Sequence, residues 1–258
     1  MSEPLEQATR KRSFREPDDA TGELLRDMLR HLRRARQDRE DVIQFIAFAA
    51  GHARSSKSQL FQDLWALWET GGKRGGYFVE FGAGNGVFLS NSWYLEKSWD
   101  WKGVIAEPHP HFAASLAEHR SCFISHKAVF ARSGQKMGFV AAAEEELSRL
   151  EAVNPDDRHE RSGVRRPVGL IEVETITLAD LLEEAGAPFE IDYMSIDTEG
   201  SELAILSAFD FSSRHIRCIS VEHNETPNRQ AIFDLLTANG YRRKWQSLSA
   251  WDDWYVRN

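Results

Sequence analysis

Residues 77–86 read Tyr-Phe-Val-Glu-Phe-Gly-Ala-Gly-Asn-Gly, and this run restricts the possible folds more than any other part of the chain. Five residues rich in aromatic and β-branched side chains predict a buried strand, and glycines at every second position then force a tight turn. Lacking Cβ atoms, such a turn lets backbone N–H groups come close to a ligand. In a strand–turn–helix setting the ligand lies at the carboxyl end of the strand. A glycine turn that is only structural is the alternative. The dinucleotide spacing G-x-G-x-x-G would need glycine at 87, where the chain has Val87. Glu80, two residues before the first glycine, would repel a pyrophosphate but suits a ligand carrying ammonium and sulfonium charge. The turn therefore favours S-adenosyl-L-methionine (SAM) over NAD, with Glu80, Gly82, Ala83, Gly84 and Gly86 around it.

From residue 77 the pattern alternates between strand and helix. Strands are expected at 77–81, 103–106, 122–124, 191–196 and 216–221, with short ones at 128–130 and 136–140 and two edge strands at 241–245 and 253–257. Helices are expected at 87–98, 110–119, 177–185, 201–208 and 228–239, the fourth of these opening after Gly200. Such alternation implies an α/β fold with a doubly wound, mostly parallel sheet covered on both faces. Residues 1–20 form a charged tail. Residues 21–72 form a helical region: Leu24, Leu25, Met28, Leu29 and Leu32 make one apolar stripe, 41–50 is apolar nearly all round, and a third helix opens near Ser58. The domain proper spans 73–258. Within it, 142–167 is polar and without a period, as expected of a lid over a site.

The chain of 258 residues carries a net charge of −8, which leaves no basic face for nucleic acid. No run of 18 apolar residues suggests a membrane span, and the polar N-terminus has no secretory pattern, so a cytoplasmic protein is expected. Cys122 and Cys218 are read as buried free thiols. A homo-oligomer is compatible with all of this.

Ligands of such a sheet gather outside the carboxyl ends of its strands. Those ends carry Glu80, Glu107, Asp197, Glu199 and the trio Glu222, His223 and Asn224. Acids at the end of every major strand imply a cationic neighbour. Glu107, followed by Pro108, stands 21 residues after Gly86, close to the roughly 20 at which an acid meets a ribose hydroxyl. Ser125, His126 and Lys127, after the third strand, are placed for the adenine edge. Gln59, Gln62 and Asp63 either face solvent or reach towards the turn.

Six segments in order, F-V-E-F-G-A-G-N-G (78–86), W-K-G-V-I-A-E-P (101–108), V-E-T-I-T-L-A-D-L-L (173–182), M-S-I-D-T-E-G-S-E (194–202), V-E-H-N (221–224) and D-D-W-Y (252–255), resemble the FkbM-type family of class I, SAM-dependent methyltransferases. The resemblance covers about residues 56–257 and implies a Rossmann-like seven-stranded sheet with a reversed last hairpin. It also implies O-methylation of a small molecule or sugar. Two routes for activating the hydroxyl follow. His223 is the base, with Glu199 as its substitute, or Asp197, Glu222 and Asn224 hold Mg²⁺, which polarises the acceptor; the alternative is that Asp197 and Glu222 only bind SAM or pair with nearby cations. An NAD-dependent oxidoreductase and a non-catalytic SAM-binding module share the fold and are the competing expectations. The polar stretch and the N-terminal helices are expected to shape the acceptor pocket, with Arg158, His159, Arg161, Arg165 and Arg166 offering anion contacts.

Overall fold

The computed structural model of the chain describes Asp27, Arg30 and residues 39–153, 157–246 and 248–258. The expected tail over 1–20 and most of the first helix lie outside the described residues. The helices are α1 (Arg39–His52), α2 (Gln62–Glu69), α3 (Trp93–Trp99), α4 (Ala113–His119), α5 (Arg158–Ser162), α6 (Leu178–Glu184), α7 (Glu202–Ser207) and α8 (Asn228–Ala238). The strands are β1 (Tyr77–Phe81), β2 (Lys102–Ala106), β3 (Phe123–Ser125), β4 (Ala128–Val129), β5 (Lys136–Ala142), β6 (Arg149–Leu150), β7 (Pro167–Ile176), β8 (Glu190–Ile196), β9 (His215–Glu222), β10 (Tyr241–Lys244) and β11 (Asp252–Arg257).

Seven of these strands form one sheet in the order β10-β11-β9-β8-β1-β2-β3. The sheet is mixed. β9, β8, β1, β2 and β3 pair in parallel, whereas β11 runs antiparallel to both β9 and β10. Side chains alternate between two cores, as a two-residue period requires. Val79, Phe81, Met194 and Ile196 enter one core; Phe78, Tyr193 and Trp254 enter the other. Both faces are thus buried, which is why these strands read as nearly continuous apolar runs. The chain leaves β1 towards β2 and β3 on one side and later returns to β8 on the other. A crevice therefore opens at the carboxyl ends of β1 and β8, where Phe81 faces Ile196.

A second sheet, β4-β7-β5-β6, was not expected from the sequence. Most of the first six residues of β7 face solvent, so that strand shows no clean alternation. The stretch 142–167 holds β6, α5 and a 3₁₀ turn, Glu145–Leu147, rather than being irregular throughout. Three other expectations need correction. Helix α3 starts at Trp93 and not at 87, because Asn85 Oδ1 accepts from Val87 N and Phe88 N and Leu89 takes φ 58°. Helix α2 starts at Gln62, after Phe61 at φ 62°; Ser58 is not its N-cap residue, although Ser58 Oγ accepts from the first-turn N–H of Asp63 at 3.2 Å. In α1, Val42 and Phe45 are buried but Ile43 is exposed, so the helix is buried on one face only. Both cysteines are free, Cys218 buried and Cys122 part-buried just before β3. Among the described residues, no helix is long and apolar enough to cross a membrane.

Candidate active site

The glycine turn closes β1, with φ values of 70°, 51° and 79° at Gly82, Gly84 and Gly86. Each position depends on glycine for its own reason. A Cβ on Gly82 would lie 1.7 Å from the Asp197 carbonyl oxygen, because the ends of β1 and β8 touch there. On Gly84 the nearest atom would be Glu146 Cγ at 4.0 Å, so that residue opens onto a cavity. Glu107, at the end of β2, supports the turn: its Oε2 accepts from Gly84 N at 3.0 Å and its Oε1 from His109 N at 2.8 Å. Burial pushes the Glu107 carboxyl up to about 7, although both hydrogen bonds pull it down.

Glu80 also borders the cavity, but its charge is already engaged. It accepts from Ser90 Oγ at 3.0 Å, Ser92 Oγ at 2.5 Å and Asn91 N at 2.6 Å, and Arg120 Nη1 lies 3.6 Å away. This carboxylate fastens the 90–92 loop beneath the turn.

The cavity crosses the switch point. On the β2 and β3 side its wall is apolar, built from Pro108, Ala128, Val129, Phe139 and Leu150. Ser125, His126 and Lys127 do not line it. Ser125 supports Glu107 by accepting from its N–H at 3.0 Å, His126 is exposed, and Lys127 Nζ pairs with Glu184 at 2.9 Å. The slot is made instead by the next two residues and by the second sheet, which no strand-end rule points to. Across β1 the cavity reaches Asp197, Glu199 and Glu222, with Gln59, Gln62 and Trp251 at its side. Gln62 is held in place, its Nε2 donating to Asp252 at 2.8 Å.

Oxygens of Asp197, Glu199 and Glu222 lie within 4.8 Å of one another. Burial, followed by their mutual repulsion, holds Glu199 and Glu222 well above the usual carboxylate range, and burial raises Asp197 to about 6. Such a group takes up protons as a unit. Nearby, Glu202 ties the loop by accepting from Thr198 N and Gly200 N, each at 3.0 Å. Asn224, paired with Asp197 and Glu222 in the sequence reading, touches Glu199 through Nδ2 at 3.5 Å. Glu199 takes the third place in the carboxylate group.

His223 is not among the cavity-lining residues. Its Nδ1 accepts from Glu225 N at 3.0 Å, its Nε2 lies 4.0 Å from Asp253, and burial lowers the ring to about 4 despite that carboxylate. Arg165, read as an anion contact, is buried and spent on Asp157 and Glu199, and Arg166 pairs with Glu144. His159 does line the cavity, while the Arg158 side chain lies outside the description.

Over residues 80–243 the chain matches the family model described as the methyltransferase FkbM domain. Among solved structures it is similar to the precorrin-6y C5,15-methyltransferase from Geobacter metallireducens GS-15, at 13% identity and a TM-score of 0.36, over 70% of this chain and 71% of that one. No curated protein matches.

Proposed function

The chain belongs to the FkbM methyltransferase family, and on that premise we propose that it moves a methyl group from SAM to a hydroxyl of a small molecule or sugar. One observation carries the reading: a single cavity joins the glycine turn and Glu107 to the carboxylates of Asp197, Glu199 and Glu222.

These residues fit the cofactor. The open space above Gly84 admits its backbone, and the free lone pairs of Glu107 suit a ribose diol. The apolar wall of Val129, Phe139 and Leu150 suits adenine, and the carboxylates suit a sulfonium. When bound, SAM supplies a methyl group that is already activated. The chain's own work is then to hold the acceptor in line, worth up to about 7–11 kcal/mol, and to take its proton. Asp197, which burial raises to about 6, and Glu222, which burial and then the charges of Asp197 and Glu199 raise well above the usual carboxylate range, receive that proton.

The test is calorimetry with SAM and S-adenosylhomocysteine, followed by transfer of labelled methyl to candidate acceptors. Glu222→Gln is expected to lower turnover by about 10²–10⁴ and His223→Asn by less than about tenfold. The reverse order would move the base to His223, and no heat with either ligand would end the reading.

The carboxylate group itself favours a second reading. Three oxygens this close suit a divalent cation such as Mg²⁺, which would polarise the hydroxyl. Loss of turnover on rigorous chelation, restored by Mg²⁺, would select it; full activity after chelation would select the carboxylate base.

A further inference from the structure

We propose that Arg165 is the positioning residue that holds the roof of this cavity closed and fixes Glu199 at its rim, so that cofactor exchange requires the ion pairs of Arg165 to open. The first test below is independent of the cofactor reading; the second rests on it.

Glu145, Glu146, Leu147, Ser148, Leu150 and His159 all line the cavity, and all belong to the insertion between β5 and β7. The two arms of this insertion meet where Ala143 N donates to Arg166 O at 2.9 Å, next to a register shift at Ala141/Ala142. Beyond that neck, the strand pairing described for the insertion is the two-residue β6, where Arg149 and Leu150 pair with Val140 and Phe139 of β5 in the second sheet. Arg165 sits at the neck with a side chain only 1% exposed. Its Nε donates to Leu147 O at 3.0 Å, within the 3₁₀ turn. Nη1 lies 2.8 Å from Asp157 Oδ2, and Asp157 in turn caps α5 by accepting from Glu160 N at 2.8 Å. Nη2 donates to Glu199 Oε2, across the rim.

One guanidinium thus joins two parts of the roof to the loop after β8. The contacts use three different nitrogens of one planar group, whereas an ammonium offers its three N–H groups from a single nitrogen and cannot reach all three partners. Glu199 has φ 55°, a left-handed conformation that persists only where its surroundings impose it, and Arg165 is part of what imposes it. The contact of His111 with Glu145, at 3.2 Å, also ties the roof to the body. Those side chains are 62% and 37% exposed, and an exposed pair contributes little. The buried fork is therefore the stronger latch.

The test is hydrogen exchange on the full chain without ligand, comparing wild type, Arg165→Ala, Arg165→Lys and Asp157→Asn. Arg165→Ala is expected to speed exchange over 143–153 and 157–166 by roughly tenfold or more, with β1 and β8 unchanged. Lysine is expected to recover little of the protection. Asp157→Asn, which keeps the cap and loses the charge, covers the case in which Arg165→Ala does not fold, and is expected to give a smaller acceleration confined to the same segment. Roof exchange as in wild type, or acceleration spread equally over the main sheet, would overturn the proposal. In surface plasmon resonance with S-adenosylhomocysteine, Arg165→Ala is expected to raise the dissociation rate by about tenfold and to speed association as well, because the same ion pairs close the ligand-free cavity. An unchanged dissociation rate overturns the gate as surely as an unmoved roof. Absence of binding to the wild type would remove the cofactor reading instead, and the exchange arms would still judge the clamp.

Discussion

Alanine at Gly82 and at Gly84 is expected to fail in different ways, although the two residues share one turn. Both have positive φ, 70° and 51°, and a left-handed L-residue costs about 1–2 kcal/mol. At Gly84 that strain is nearly the whole penalty, since the new methyl meets only Glu146 Cγ at 4.0 Å. A domain with about 5–15 kcal/mol of stability tolerates it. The methyl, however, stands in the space assigned to the cofactor. At Gly82 the same strain is joined by a methyl 1.7 Å from the Asp197 carbonyl, less than half of an ordinary contact of about 3.5–4.0 Å. A backbone atom cannot swing aside, so relief requires the ends of β1 and β8 to part where Phe81 pairs with Ile196. Overpacking of this kind adds about 1–3 kcal/mol, for a total of about 2–5 kcal/mol. Urea unfolding followed by tryptophan fluorescence, together with calorimetry using S-adenosylhomocysteine, separates the two. Gly84→Ala should stay folded and lose at least about tenfold in affinity, that is 1.4 kcal/mol. Gly82→Ala should lose stability outright. Wild-type affinity in the first variant, or stability within about 1 kcal/mol of wild type in the second, would refute this reasoning.

Asp252, buried and accepting from Gln62, is pushed up to about 8 by burial and then by the charge of Asp197. Its folded affinity for a proton exceeds the unfolded one, so the stability it contributes is full below about pH 4 and lost as pH rises towards 8. Asp252→Asn removes that loss. Its advantage over wild type in urea unfolding should widen by up to about 1.4 kcal/mol per pH unit between about pH 5 and 7, and parallel curves would contradict it. Glu80→Gln should cost about 2–4 kcal/mol of stability even without ligand, because it releases the 90–92 loop and half-strips the buried Arg120, which keeps Glu96. Unchanged unfolding of that variant would return Glu80 to the cofactor.

Much of the site was legible because strand ends are where an α/β sheet presents its ligands. Reading Glu107, Asp197 and Glu222 needed only the strands to be found, and β8 and β9 are long, buried and apolar enough to be found. The side to which a residue turns beyond a strand end was not legible. Past Glu222, the last residue of β9, the two-residue period stops and left-handed Asn224 and Glu225 redirect the chain; Glu222 lines the cavity and its neighbour His223 does not. Glu80 looked like a cofactor acid because its partners Ser90, Asn91 and Ser92 sit in a segment whose pattern suggested a helix. The second sheet escaped notice because β7 shows solvent much of its length and carries no alternation.

The order of apolar runs and glycines along the chain was sufficient, by itself, to determine an α/β sheet and a glycine turn at the end of its first strand, since both follow from local periodicity and from backbone freedom without Cβ atoms. Only the tertiary structure decided which carboxylates meet, that a buried arginine from a distant insertion joins them, and which apolar side chains close the slot. Those outcomes depend on contacts between segments distant along the chain, 34 residues apart for Arg165 and Glu199, where burial and charge, rather than local preference, select the partner.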